Sequence, residues 1–355
     1  MHQMKLFLLL FIFLLARPAI AIYDPLSVPN NKYGIHVADP NDISKVKDLV
    51  NSTQGDWGYV TLVIPDNERR VDVWQPVFER MKRDHLIPIV RLATHVEGGV
   101  WIKPSLTDAH VWVNFLKELP WPTKNRYIIL FNEPNHAKEW GGTVSPHEYA
   151  DVFMAYANAL RQASEDFFIL PAGLDASAPN GRDTMDEELF LRWMIIQQPD
   201  ILNVMDGLTS HSYPNPGFSG SPYAQGRGTL RTYEWELKVL ADLGSTKRLP
   251  IFITETGWAH NGNAGKQTRL SPDDVSQYVE IASKTVWNNP QIAAVTPFLF
   301  SYQDGLFAMF SWLRLTTREP YSFYRSYQHI AKMKGEPLTY PTNDYLALIA
   351  HPLNL

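Results

Sequence analysis

Residues 126–140 read RYIILFNEPNHAKEW. The run from Tyr127 to Phe131 is made of strand formers, and it stops at Asn132-Glu133-Pro134-Asn135. A buried strand that ends in a carboxylate asks for a reason, and a second stretch repeats the pattern. Residues 249–258, LPIFITETGW, carry another apolar run that closes on Glu255. Each strand reads as a rigid arm with a glutamate at its working tip.

Outward from these two stretches, apolar runs recur at 33–37, 59–64, 87–92, 127–131, 167–171, 207–210, 251–254 and 294–300. They are apolar throughout rather than alternating, which suits strands of a parallel sheet buried on both faces. Segments with apolar residues at helical spacing lie between and after them, at 42–50, 73–85, 106–119, 146–164, 185–197, 230–243, 272–288 and 320–333. Ser145-Pro146 and Ser271-Pro272 place a capping hydroxyl before proline at the first helical position. Asp273-Asp274 add negative charge to a first turn, and Gly244 stands where a left-handed closing residue belongs. Eight strands and eight helices in strict alternation predict an α/β fold, a (β/α)8 TIM barrel in a single domain over residues 22–355. A doubly wound open sheet shares this alternation and stays open as an alternative. The tail beyond Pro337 is expected along the barrel exterior.

The remaining composition narrows the function. The chain has 355 residues, a formal charge of −5, eleven Trp, sixteen Tyr and no Cys. A mildly acidic balance argues against a nucleic-acid partner, which calls for a basic face. The missing cysteines leave no disulfide framework and no thiolate nucleophile, and a core this large needs no covalent staples. Lys5, the apolar run from Leu6 to Ala16 and the segment Ala19-Ile20-Ala21 have the pattern of a secretory signal peptide over residues 1–21. The run is short for a membrane span, which needs ~20 apolar residues. The expectation is a secreted, periplasmic or extracellular protein, off the membrane after cleavage and membrane-anchored without it. Asn51-Ser52-Thr53 fits a glycosylation sequon.

In a barrel all strands run the same way, so Glu133 after strand four and Glu255 after strand seven open on one face. Residues about 120 apart in the chain then converge across one mouth. Two facing carboxyl groups suit cleavage of a glycosidic bond. One is protonated to help the leaving oxygen depart, and the other is ionised to attack or support the oxocarbenium-like centre. The charge on one raises the pKa of the other, which keeps the two roles apart. No HExxH or other clustered ligand spacing is present, so no metal site is predicted. A dinucleotide loop and a Gly-x-Ser-x-Gly elbow are also missing.

Asn132-Glu133-Pro134 and Thr254-Glu255-Thr256-Gly257-Trp258 resemble the motifs of glycoside hydrolase clan A, the retaining barrel enzymes. The cellulase family (glycoside hydrolase family 5) and the β-xylosidase-like family 39 are nearest in appearance. The resemblance implies a glycosidase acting on a poly- or oligosaccharide by double displacement, without a cofactor. Glu133 would be its acid/base and Glu255 its nucleophile. It further implies that Asn132 contacts the sugar 2-hydroxyl, and that His211 and Tyr213 close strand six, the tyrosine bonding the nucleophile. Arg91 could hold Glu255 ionised through a charge-assisted bond, or be a plain buried ion pair. The family's tryptophan platform after strand eight has no counterpart in residues 298–303, which leaves Tyr302 or Trp312 as substitutes. Trp258 joins them as a candidate sugar contact, and Trp57, Trp101 and Trp140 also fall near loops that follow strands. His36 and His95 sit near strand ends, where they line the cleft or are ordinary hydrogen-bonded histidines. The loop from Pro214 to Gly228 is expected to shape the substrate site. A non-catalytic carbohydrate-binding barrel and a transglycosylase sharing the covalent step are the alternative functions.

Overall fold

The computed structural model describes residues 22–264, 270–302, 305 and 307–340. The signal-like segment 1–21 and the last part of the tail, 341–355, lie outside the described residues. Eight parallel strands form the centre: β1 (Gly34–Val37), β2 (Gly58–Pro65), β3 (Leu86–Ala93), β4 (Arg126–Leu130), β5 (Phe167–Pro171), β6 (Leu208–His211), β7 (Ile251–Glu255) and β8 (Ile292–Val295). They pair as a five-stranded sheet, β1 to β5 in order, and a three-stranded sheet, β6 to β8.

Both seams between the sheets are bridged. Tyr33 pairs in parallel with Val295, and the His36 N–H donates to Pro297 O at 3.0 Å. On the other side the Asp206 N–H donates to Ile169 O at 2.9 Å. An open doubly wound sheet would leave these edges free, whereas here the arrangement fits a closed (β/α)8 barrel. The barrel is filled by Tyr59, Ile87, Ile89, Tyr127, Phe168 and Phe252, all buried.

A second core layer lies between the sheet and the helices, with Val60, Leu62, Val90, Ile128, Ile169 and Ile253 facing outward. The longer helices are α1 (Ile43–Val50), α2 (Val71–Arg83), α3 (Ala109–Glu118), α4 (Pro146–Ala163), α5 (Glu187–Gln197), α6 (Thr232–Asp242), α7 (Pro272–Thr285) and α8 (Ser322–Gln328). Ser145 accepts from the Glu148 N–H, and Ser271 with Asp274 forms a full capping box, as the sequence signals required. Gly244 has φ +103°. Among the described residues, no helix is long and apolar enough to cross a membrane.

Two sequence expectations change. The last strand ends at Val295, short of the expected 300, because Pro297 has no N–H to extend the ladder. The sequon asparagine is already committed. Asn51 Nδ2 donates to Asp84 O and His85 O, at 3.1 Å each, and its Oδ1 accepts from the Gly58 N–H at 2.7 Å. In the folded protein that amide is a structural tie rather than a free attachment point. The described part of the tail does pack on the exterior, where Leu338 O accepts from the Lys124 N–H and the Tyr340 hydroxyl meets Arg126 and Asp166.

Candidate active site

Side-chain alternation explains how the site is built. On β3, Ile87 and Ile89 point into the barrel, so Arg91 is the next inward residue and emerges at the mouth. On β7, Phe252 points inward while Ile251 and Ile253 point outward. Strict alternation would therefore turn Glu255 away from the interior. A bulge corrects this. Ser210 pairs with Ile253, but the next residue, His211, pairs with Glu255. The extra residue re-aims Glu255 toward the cleft.

Glu133 stands just beyond β4, not on it. Phe131 has φ +73° and Glu133 has φ +31°, both in the left-handed region that non-glycine residues rarely adopt. Strained backbone of this kind gathers at functional sites. The Glu133 N–H donates to Gly173 O at 3.1 Å, which ties the turn to the segment after β5.

The two carboxyl groups face each other. A Glu133 oxygen, a His211 ring nitrogen and a Glu255 oxygen all lie within 4.8 Å of one another. His211 Nδ1 is 2.8 Å from Glu133 Oε1 and 3.9 Å from Glu255 Oε2. Arg91 Nη1 donates to Glu255 Oε1 and, at 2.7 Å, to Asn132 Oδ1. The Tyr213 hydroxyl donates to Glu255 Oε2 at 3.0 Å. The six side chains Arg91, Asn132, Glu133, His211, Tyr213 and Glu255, all named from the sequence, form one constellation of hydrogen bonds and close charge contacts.

Its electrostatics are asymmetric. Burial pushes the pKa of Glu255 upward, but the charges of His211 and Arg91 outweigh that and hold it well below the usual carboxylate range. His36 is itself driven down to about 3 by burial and by Arg91, so it is neutral at ordinary pH. Arg91 is therefore the permanent charge that keeps Glu255 ionised. Burial lowers the pKa of His211, yet Glu255 and Glu133 reverse the effect and raise it. The raised pKa favours the protonated imidazole, which lies within hydrogen-bond distance of Glu133. Among the described residues, Glu133, His211 and Glu255 are also the one trio of histidine and carboxylates spaced closely enough to hold an ion. Arg91 already places a fixed positive charge against Glu255 there.

The cleft around this constellation has a volume of about 400 Å³, within the ~300–1,000 Å³ typical of small-molecule sites. It is lined by the polar side chains of His136, Glu139, Asp175 and Asn215, by Trp101, and by a contiguous set of rings, Phe218, Phe310, Phe298 and Phe307. Asn215 and Phe218 come from the loop at 214–228, which does reach the site. A larger hollow of about 460 Å³, lined by Arg161, Asp206, Lys247 and Pro250, sits by the starts of β5 and β7, at the opposite pole.

Three expected sugar contacts lie elsewhere. Trp258 is buried against Tyr278 and Trp287, and its Nε1 donates to Gly220 O at 2.9 Å, bracing the loop instead of facing the cleft. Trp312 is buried against Phe323 and Tyr327. Tyr302 sits behind Phe307, 5.4 Å between ring centres, and Phe307 is the ring that lines the cleft. The position after β8 is filled by Phe298, which the sequence reading passed over in its search for tryptophan. Of the five tryptophans near strand ends, Trp101 reaches the cleft. His36 belongs to the site floor, 3.8 Å from Glu255, whereas His95 pairs with Asp66 and Glu97 outside it. His136, Glu139 and Asp175 also line the cleft, although no strand-end pattern in the sequence marks them. His136 Nε2 is 2.9 Å from Asp175 Oδ2, and that hydrogen bond outweighs burial to raise the pKa of His136.

Comparison with known proteins follows the same line. A family model described as the glycosyl hydrolase catalytic core matches residues 99–309, which is more than half of the chain and includes both glutamates. A sequence search of curated proteins found no match. Among solved structures, an endo-β-1,3-glucanase of family GH128 from Sorangium cellulosum aligns with TM-score 0.52 and 16% identity. The alignment covers 85% of this chain and 97% of that one. A GH5_18 protein from Streptomyces cattleya, in complex with GlcNAc, aligns with TM-score 0.60 and 13% identity over 86% and 80% of the two chains. An FMN-binding β-glucuronidase from Facaelibacterium prausnitzii L2-6 aligns with TM-score 0.52 and 12% identity, covering 84% of this chain. This chain spans only 43% of that protein's length. At such identities the likeness speaks for the fold.

Proposed function

The chain belongs to the glycosyl hydrolase catalytic-core family, and on that premise we propose that it is a retaining O-glycosidase of poly- or oligosaccharides. Glu255 is the nucleophile and Glu133 the acid/base. The observation that carries this reading is the approach of the two carboxyl groups to within 4.8 Å, oxygen to oxygen. Retaining enzymes hold the pair ~5–5.5 Å apart, whereas inverting ones leave ~6.5–9.5 Å for a water.

The division of labour follows from the surroundings. Glu255 has Arg91 and the Tyr213 hydroxyl against its two oxygens, which favours the ionised form that attacks. Glu133 has His211 and a wider opening to the cleft, with a side chain 22% exposed against 10% for Glu255. In the first step a Glu255 oxygen bonds to the anomeric carbon and the glycosidic C–O bond breaks. The proton held by Glu133 passes to the departing oxygen. The ester removes the negative charge of Glu255, which had favoured a proton on its neighbour, so Glu133 is left ionised and able to act as the base. In the second step Glu133 takes a proton from water, the water oxygen bonds to the anomeric carbon, and Glu255 leaves as carboxylate. The sum is addition of one water across one glycosidic bond. Asn132, pinned by Arg91, keeps an amide hydrogen for the sugar 2-hydroxyl, where bonds strengthen in the transition state. The signal-like residues 1–21 support export of the enzyme from the cytoplasm as part of the same proposal.

The test is stereochemical. Proton NMR during hydrolysis of an aryl glycoside, chosen from a panel, should show the first-formed sugar with the substrate's own anomeric configuration. Initial appearance of the opposite anomer would reject the double displacement. Repeating the reaction with an acceptor sugar separates hydrolysis from transfer by the products formed.

A further inference from the structure

The carboxyl of Glu139 has no part in the two chemical steps, yet it lies at the cleft. It sits at the end of a short 3₁₀ turn, Ala137–Glu139, in the connection after β4. It lines both the cleft and a side cavity of about 30 Å³, roughly one water, shared with Arg91, Trp101 and Asn132. Asn132 Nδ2 donates to Glu139 Oε2 at 3.2 Å, while Asn132 Oδ1 accepts from Arg91 at 2.7 Å. One chain of contacts therefore runs Glu255–Arg91–Asn132–Glu139 across the cleft floor.

We infer that Glu139 is a positioning residue that fixes the Asn132 amide for the sugar 2-hydroxyl, an inference that rests on the retaining-glycosidase reading above. Arg91 alone pins the oxygen end of the amide and leaves it free to swing about the Cβ–Cγ bond. Glu139 holds the nitrogen end and takes one of its two hydrogens. The second hydrogen is then left for the substrate, in an orientation set before the sugar arrives. Such preorganisation acts where contacts tighten in the transition state, so its loss falls on kcat more than on KM. An acceptor oxygen suits this post because it takes a hydrogen from the amide nitrogen, while Arg91 at the amide oxygen keeps the group from turning over.

Glu139→Met keeps the side-chain volume and removes the acceptor, whereas Glu139→Gln keeps an acceptor oxygen. On a 2-hydroxy aryl glycoside, Glu139→Met should lower kcat about tenfold or more with little change in KM. Glu139→Gln should recover most of that loss. On the matching 2-deoxy glycoside, Glu139→Met and wild type should differ by less than about twofold, since there is no 2-hydroxyl to serve. Equal losses on both substrates, or no loss on either, would overturn the inference. So would a Gln variant as impaired as the Met variant. Glu255→Gln, run beside them, separates the two levels. If it still turns over, the glycosidase reading fails. If it is dead while Glu139→Met behaves like wild type, only the role of Glu139 fails.

Discussion

Glu133 and Glu255 meet at the barrel mouth, whereas Glu187 of α5 and Glu236 of α6 meet inside the wall, where both are buried. The first pair is surrounded by Arg91, two histidines and a tyrosine hydroxyl. The second lines a cavity of about 20 Å³ with Leu174, Leu191, Met194, Met205 and Leu240. Its Glu187 Oε2 and both Glu236 oxygens find no hydrogen-bond partner among the described residues. The same residue type is driven in opposite directions. Glu255 is held low despite its burial, while burial, reinforced by the Glu236 charge, raises Glu187 well above the ordinary range. Burial also pushes Glu236 up to about 7, although contacts with Glu187 and Ser210 oppose it. A buried carboxyl group without a cation neutralises itself. A proton on either carboxyl group would let Glu187 and Glu236 hydrogen-bond to each other, which two ionised carboxylates cannot do. What sets the two pairs apart is the guanidinium bonded to Glu255 at one and the largely apolar lining of the other.

Replacing one member of each pair is the harshest way to break that contrast. Glu255→Gln should lower kcat on an aryl glycoside by at least ~10⁴-fold, in line with the loss of other catalytic nucleophiles and bases. Glu187→Gln should leave kcat within about twofold, because it touches no reacting atom. Comparable losses in the two variants, measured with matched far-UV circular dichroism spectra, would erase the distinction.

A smaller effect isolates the cation. Arg91→Met removes the fixed charge against Glu255, so the carboxyl must rise toward its burial-driven value. Since Arg91 favours the ionised form, the acid limb of kcat/KM should move to higher pH, with a loss of about 10²-fold near pH 5. An acid limb that stays in place would mean that something other than Arg91 keeps Glu255 ionised.

The two pairs also differ in how far the sequence discloses them. Period and punctuation revealed the barrel. Unbroken apolar runs gave the strands, and Ser145, Ser271 and Gly244 marked helix ends where the structure has them. Glu133 and Glu255 stood out because each closes an apolar run. That Glu255 faces inward was not legible, since it depends on a one-residue bulge against β6 that no local pattern announces. His136, Glu139 and Asp175 escaped because they belong to loops after β4 and β5, whose path periodicity does not set. Trp258 and Trp312 misled for the converse reason, since a tryptophan near a strand end packs into the core as readily as it faces a cleft. Glu187 follows the capping Asp186 and reads like an ordinary first-turn charge complementing the helix dipole. Nothing in its spacing from Glu236 suggests that the two meet.

The smallest expected effect tests the buried pair on its own terms, through stability. Unfolded glutamate titrates near ~4.3, while Glu236 in the fold is pushed up to about 7. Between those values the folded state binds more protons than the unfolded one, so this pair makes stability fall as pH rises through the window. Glu236→Gln cannot ionise and can still donate to Glu187, so it removes the part of that slope that Glu236 supplies. Urea titrations at pH 5 and pH 8 should therefore show the variant gaining on wild type, by on the order of 1 kcal/mol at the higher pH, about a fivefold change in the folded-to-unfolded ratio. The cleft pair supplies the opposite sign. The depressed Glu255 contributes stability above the unfolded pKa that is lost as pH falls, so the stability difference for Glu255→Gln should shrink in acid instead. If the Glu236→Gln difference is the same at both pH values, then both wall glutamates are fully protonated or fully solvated throughout, and no proton is shared between them.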